Sequence, residues 1–546
     1  MSAILDIFTG DIRPKPRQRW SEDRTRVIHE IQESSSVGWV ELFIDLLYVA
    51  QFLLLGHRLY YCTKDKSMQL SEIFGWIFVS FALFWGSRVA IDEFYNKFEL
   101  PKDFGRLLML WYTLGIFYMT FNSAYEYCNS EENPRSINVG FIFGLLITRF
   151  TLILLYGDVV RTFPEAQKQF SIHLIMQSII IFLALLTLCV LDYSNVVYGL
   201  ILTAAILDTF QVIIKAAPAF LISDKDVLSK FYYFPIDIEK TQERHGIFII
   251  MVIGEAIITI SEGFERDENL DEMYTYTTGA FLLCCAIAGI YFEEVHANEH
   301  DQHVALRNNA ITGSLWTTLH MPLSFVIFLI GISIKLLYKD LKFSDDEDYS
   351  WLDVKALDIT VGICHMIMIF MTSLHTNVIG NRIDLPDYYI NKTWWWHIFH
   401  ILIACNHFWV ANAFKQMNTN PKWITIVHAI IFFAHRLFLD LNKLGYYIIN
   451  KRNEENMNIN IKNNNININT SGGSGSGGGG GSVSDNNTSV SGNNRRRRSM
   501  SDGQWDGFVG RTLSHENKSQ ELELTHDPVN QIDDQIDEED QITAWK

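Results

Sequence analysis

The residues of this chain that could do chemistry lie inside its apolar runs. Glu41 and Asp45 are four apart, so a helix presents both on one face, with Tyr48 about one turn further on. Arg149, Asp208, Glu255 and Asp358 each interrupt an otherwise apolar stretch. A charge at the centre of a bilayer costs about 2.5–3.5 kcal/mol on insertion scales, so such groups turn toward protein or water. Two carboxylates on one face repel unless a cation lies between them. Arg149 is the candidate cation, either for Glu41 and Asp45 or for Glu255. Such a set can serve as a proton or cation relay through a bundle interior, or as a buried ion-pair network that fixes helix register. Both readings stay open from sequence.

Histidine offers a second kind of chemistry. Glu293, His296, His300 and His303 follow i, i+3, i+7, i+10 spacing and share a helical face. Imidazole and carboxylate at that spacing suit zinc or iron. The later histidines, among them His365, His400, His407, His428 and His435, fall at different depths of different segments and suggest no second cluster. None of the seven cysteines forms a C-x-x-C pair, which argues against a thiol metal or redox site. Cys62 and Cys128 fall in loops on one side and could pair if that side is oxidising.

The elements that must position these groups are membrane helices. Crossing about 30 Å of hydrocarbon takes about 20 mostly apolar residues. Twelve segments qualify: 37–61, 71–91, 105–125, 138–156, 169–192, 196–222, 245–261, 275–295, 314–338, 354–374, 393–414 and 421–441. The runs are too long for barrel strands and do not alternate. The expected fold is therefore all-α: a polytopic bundle of about twelve transmembrane helices. Pro218 and Pro322 should kink or break their spans locally. Three regions follow: a basic N-terminal segment at 1–36, the bundle at 37–441, and an Asn/Ser/Gly-rich tail at 442–546.

That division explains an otherwise mild average. Over 546 residues the chain is 48% hydrophobic with net charge −18, and its mean hydropathy is only +0.08 because a polar tail offsets an apolar domain. The tail cannot bury enough apolar surface to offset chain entropy, so disorder is expected there. Its run Arg495–Arg498 precedes Ser499 and Ser501, which makes a phosphorylation site, a patch for anionic lipid, or a solvated charge cluster. Basic residues around both termini and in alternate loops put both termini in the cytoplasm. The acidic balance argues against nucleic acid as a partner.

Four segments carry a family resemblance. Trp39-Val40-Glu41-Leu42-Phe43-Ile44-Asp45-Leu46 resembles the opening signature of the low temperature requirement protein A family of multi-pass membrane proteins. Arg244-His245-Gly246-Ile247-Phe248, running on to Ile253-Gly254-Glu255, resembles a second signature. Asn96-Lys97-Phe98 with Arg106-Leu107-Leu108, and Arg307 with Leu319-His320-Met321-Pro322, are weaker matches. The chain departs from the pattern at His245 and Trp316. The resemblance implies a polytopic helical protein linked to growth in the cold. It implies no substrate and no reaction. It marks Glu41, Asp45, Glu255, Arg307 and His320 as motif positions.

The leading expectation is a secondary transporter or channel-like protein for a small solute or ion. Glu41, Asp45 and Glu255 would be its proton or cation sites and Arg149 their counter-ion, with Asp208, Arg307 and His320 as further candidates. No nucleotide-binding G-x-x-x-x-G-K-[ST] pattern occurs, and no resident cofactor is expected. The alternatives are a zinc- or iron-dependent membrane enzyme acting on lipid, and a non-catalytic receptor or scaffold that works through its tail.

Overall fold

The computed structural model describes residues 15–20, 27–29, 39–65, 70–99, 104–123, 139–191, 193–221, 234, 236–263, 270–295, 305–306, 310–343, 351–376, 398–417 and 423–441, with a few single positions beyond. The chain divides into two compact units, Met1–Met457 and Asn458–Lys546. Everything below concerns the first. Ser499 and Ser501 of the tail lie outside the described residues.

The helices are α1 (Trp39–Asp65), α2 (Leu70–Lys97), α3 (Phe104–Ser123), α4 (Val139–Thr162), α5 (Gln167–Cys189), α6 (Ser194–Thr209), α7 (Gln211–Leu221), α8 (Ile238–Gly263), α9 (Leu270–Ile290), α10 (Ala310–Phe343) and α11 (Trp351–Thr376). A π-helical turn, Tyr291–Val295, extends α9. Then come α12 (398–405), a 3-10 turn at Asn406–Trp409, α13 (Val410–Met417) and α14 (424–441). Short strands β1 (Lys15–Pro16), β2 (Gln18–Trp20), β3 (Val27–His29) and β4 (Phe98–Glu99) pair antiparallel as β1–β4 and β2–β3.

Among the described residues nine helices are long and apolar enough to cross a membrane, and the bent pair α6–α7 makes a tenth if it is one span. The bend is 52° and falls between Thr209 and Gln211, not at Pro218, which lies inside α7. Pro322 leaves α10 unbroken. Besides 196–222, which is the bent pair, two expected segments are not among the nine. The aromatic-rich 105–125 forms α3, and 393–414 is interrupted by the turn at Asn406–Trp409.

The bundle buries its polar and charged side chains within a mainly apolar core and turns apolar faces outward. On α5, His173 and Gln177 are buried while Ile175, Ile179, Phe182 and Leu185 are exposed, a stripe that suits lipid. Helices α2 and α10 are the most enclosed of the candidate spans. Helix α2 packs against α1, α4, α6, α8 and α10, so any polar group on it meets protein.

Glycine sets the approach of α3 to α4. Gly140, Gly144 and Thr148 make a small-residue row on α4, and a Cβ on Gly144 would stand 2.6 Å from the Gly115 carbonyl oxygen of α3. Small residues let membrane helices approach closely where lipid gives no hydrophobic drive. Gly144→Leu should therefore separate α3 from α4 and destabilise the protein by about 1–3 kcal/mol. Melting of the purified variant at the wild-type temperature would contradict this.

Candidate functional site

Three helices each bring an i, i+4 pair to one place. Helix α1 supplies Glu41 and Asp45, α2 supplies Arg88 and Asp92, and α8 supplies Lys240 and Arg244. Asp237 accepts a hydrogen bond from the Lys240 N–H at 3.1 Å, capping the first turn of α8. Lys240 Nζ then reaches Glu41 at 2.8 Å. Arg244 donates to Glu41 at 2.9 Å and to Asp45 at 3.3 Å, and it also pairs with Asp92. Arg88 Nε meets Asp45 at 3.0 Å and its Nη1 meets Asp92 at 3.1 Å.

Three carboxylates and three cations thus sum to zero, and all six residues are buried. Burial of an ion pair is tolerated only with good geometry and further hydrogen bonds. Arg88 has both: it donates to the Arg244 carbonyl at 3.2 Å and its guanidinium lies 3.9 Å over the Phe248 ring. Arg244 and Arg88 both approach Asp45 through Oδ1. Among the described residues Asp45 Oδ2 is buried with no hydrogen-bond partner.

Two further clusters lie along α2. Arg149 of α4 pairs with Asp208 of α6, and it donates to Gln177 Oε1 at 3.0 Å, Ser87 Oγ at 2.8 Å and the Leu83 carbonyl at 3.1 Å. Gln211, just past the bend, donates to Asp208 Oδ1 at 3.1 Å and to the Gly86 carbonyl at 2.8 Å. A Cβ on Gly86 would occupy the place of the Asp208 carboxyl group, so glycine there admits the acid. Toward the end of α2, Glu93 meets Lys97 at 2.7 Å, Lys215 at 2.8 Å and His173 at 3.3 Å. Tyr112 links the first two clusters: it hydrogen-bonds Tyr48 at 2.7 Å and donates to the Ser87 carbonyl at 2.7 Å.

The sequence candidates are therefore divided. Glu41 and Asp45 share one network. Arg149 is not in it: its carboxylate is Asp208, because α4 and α6 flank α2 on the side of Ser87. Glu255 is buried on α8, eleven residues or about 16 Å beyond Arg244 along the helix. His320 is buried; its Nδ1 lies 2.8 Å from the Trp316 carbonyl and its Nε2 2.9 Å from Tyr291 Oη. Glu293 is half exposed and pairs with Arg436. Arg307, His296, His300 and His303 lie outside the described residues, as do Cys128 and the side chain of Cys62. Among the described residues no three His, Cys, Asp or Glu side chains are arranged to hold a metal ion.

Sequence reasoning missed Arg88, Asp92, Glu93 and Lys215 as partners and read Lys240 and Arg244 as loop charges or motif positions. The available signal was the four-residue spacing of Arg88–Asp92 and Lys240–Arg244, which repeats that of Glu41–Asp45.

Comparison with known proteins bears on the same segments. No curated protein and no solved structure matches the chain. The family model described as bacterial low temperature requirement A protein matches residues 36–410, a stretch that holds all three clusters. With most of its length inside that match, the chain belongs to the low temperature requirement A (LtrA) family of membrane proteins.

Proposed function

We propose that this membrane protein is a secondary transporter or channel-like protein, coupled to protons or cations through the Glu41–Asp45–Asp92 network. The observation that carries the reading is the sharing of charges. Asp45 is contacted by Arg88 and Arg244, and Glu41 by Lys240 and Arg244. A proton on Asp45 Oδ2 leaves three cations facing two anions. In a low-dielectric interior that excess cannot be screened away, so the cations must redistribute or an anion must enter. Binding of one proton thereby biases how α1, α2 and α8 pack. The broken pair α6–α7, with Asp208 next to the break, also suits a transport site, since interrupted helices border such sites.

An even number of crossings, with both termini cytoplasmic, fits the packing of the first half. The β1–β4 pairing ties the N-terminal segment to the end of α2. Phe98 lies 6.4 Å from Phe163 and 5.0 Å from Phe234, ring centre to ring centre. Residues 98, 163 and 234 then share one side. That arrangement requires α3 to cross opposite α4, and α6–α7 to return as one span after α5. It supports six crossings before α8, and a total of twelve if the second half repeats the number.

Proton entry into vesicles holding the purified protein, driven by a potassium diffusion potential and read with a trapped pH dye, tests the function. Asp45→Asn keeps the shape and removes the proton-binding oxygen. It is expected to lower the flux at least roughly tenfold. Equal flux in variant and wild type, or wild-type flux no greater than in empty vesicles, overturns the reading.

A further inference from the structure

Three helices outside the charge network each carry a polar pair at i, i+7: Asp358 and His365 on α11, His400 and His407 on α12 and the turn after it, His428 and His435 on α14. All six side chains are buried, His400 the most exposed of them at 6%. They form one continuous hydrogen-bonded chain. His435 Nε2 lies 2.6 Å from His400 Nδ1. His435 Nδ1 bonds His365 Nε2. His365 Nδ1 lies 2.9 Å from His407 Nε2, and His407 Nδ1 lies 2.8 Å from His428 Nδ1. His428 Nε2 lies 2.9 Å from Asp358 Oδ1, while Asp358 Oδ2 accepts the Ala411 N–H at 2.6 Å.

Every interior ring uses both nitrogens, one toward each neighbour. A neutral imidazole has one N–H and one lone pair. A run of neutral rings ending on a carboxylate therefore satisfies every contact in a single direction: each ring donates toward Asp358 and accepts from the His400 side. We propose that this chain is a proton wire between mid-membrane and the end of α11 near Trp351. A proton bound at His400 Nε2 releases Nδ1–H to His435 Nε2. His435 Nδ1–H passes to His365 Nε2, His365 Nδ1–H to His407 Nε2, and His407 Nδ1–H to His428 Nδ1. His428 then gives its Nε2–H to Asp358. At each ring one N–H bond forms and one breaks, and the last step makes one carboxylic O–H.

The geometry suits transfer over part of the bilayer. Seven residues along a helix rise about 10.5 Å, roughly a third of the hydrocarbon thickness. Asp358 sits four residues into the apolar stretch Val354–Leu374 and His365 near its middle. Phe432 stacks on His365 at 4.3 Å and flanks His407 at 4.9 Å, ring centre to ring centre, covering the middle of the chain with an apolar face. Hydrogen-bond spacing also distinguishes the wire from a metal site: two nitrogens bound to one zinc at about 2.0–2.1 Å stand roughly 3.3 Å apart.

The wire shares no residue with the Asp45 network and goes beyond the function proposed from it. Two measurements test it. In nitrogen-15 NMR of histidine-labelled full-length protein in lipid, the chain requires the five rings to be neutral, with Nδ1–H on His365, His400, His407 and His435 and Nε2–H on His428. In the vesicle assay, His407→Gln, which can hydrogen-bond but cannot relay a proton, is expected to lower flux at least roughly tenfold. Doubly protonated rings, stoichiometric zinc lost in His407→Gln, or wild-type flux in a folded His407→Gln each overturn the wire. Wild-type flux in His407→Gln with flux lost in Asp45→Asn sinks the wire alone; the reverse pattern sinks only the Asp45 reading.

Discussion

Arg244→Met is expected to destabilise the membrane domain by about 3–5 kcal/mol, the usual cost of removing one partner from a buried ionic set. Arg244 is the cation that touches all three carboxylates: Glu41 at 2.9 Å, Asp45 at 3.3 Å, and Asp92. Without it, the three buried anions keep two of their three paired cations, Arg88 and Lys240. Methionine keeps the stem volume, so the loss reports charge rather than a cavity. Restoring parity gives the control. Arg244→Met with Asp92→Asn leaves two acids and two bases, and should recover more than half of the loss. Thermal unfolding of the three proteins in one detergent measures this. If the single variant melts with wild type, the network does not hold α1, α2 and α8 together.

How much of this was legible in the sequence follows from what hydropathy can see. Runs of about 20 apolar residues mark helices because the bilayer requires them, so α1, α4, α5, α9, α10, α11 and α14 fall close to their expected ranges. The same rule trims a helix where charge begins. The apolar run of α2 ends at 91, yet the helix continues to Lys97, and the residues past 91 include Asp92 and Glu93. The run of α8 begins at 245, yet the helix starts at Ile238, so Lys240 and Arg244 fall outside it. A charge that is already paired costs far less than a lone one, and helices carry such charges well inside their true ends. Hydropathy thereby leaves out Asp92, Glu93, Lys240 and Arg244, although Glu41, Asp45 and Arg88 lie inside its spans. The histidine chain escaped for another reason: its pairs are two turns apart on three different helices, and no single segment contains a cluster. Pairing across helices is tertiary information, which also explains why the sequence points Arg149 to Glu41 and Asp45 or to Glu255 and not to Asp208.

The Arg149–Asp208 pair is expected to be strongly asymmetric. Arg149 ties α4 to α2, α5 and α6 through Leu83, Ser87, Gln177 and Asp208. Arg149→Met strands a buried carboxylate whose remaining described donor is Gln211, so a loss of about 3–5 kcal/mol follows. Asp208→Asn leaves the guanidinium with three neutral acceptors and an amide oxygen, and should cost less than half as much. The double variant Arg149→Met, Asp208→Leu removes both charges. It should be more stable than Arg149→Met alone, with an interaction energy of at least about 2 kcal/mol. Unfolding of all four proteins under one condition completes the cycle. Additive losses would mean that the two residues act separately and that the pair fixes no register. The same set decides between the two roles open to a charge beside a broken helix. If Asp208→Asn keeps its stability but loses proton flux, the carboxylate takes part in transport. If flux falls only in step with stability, the pair is structural and coupling rests with Asp45.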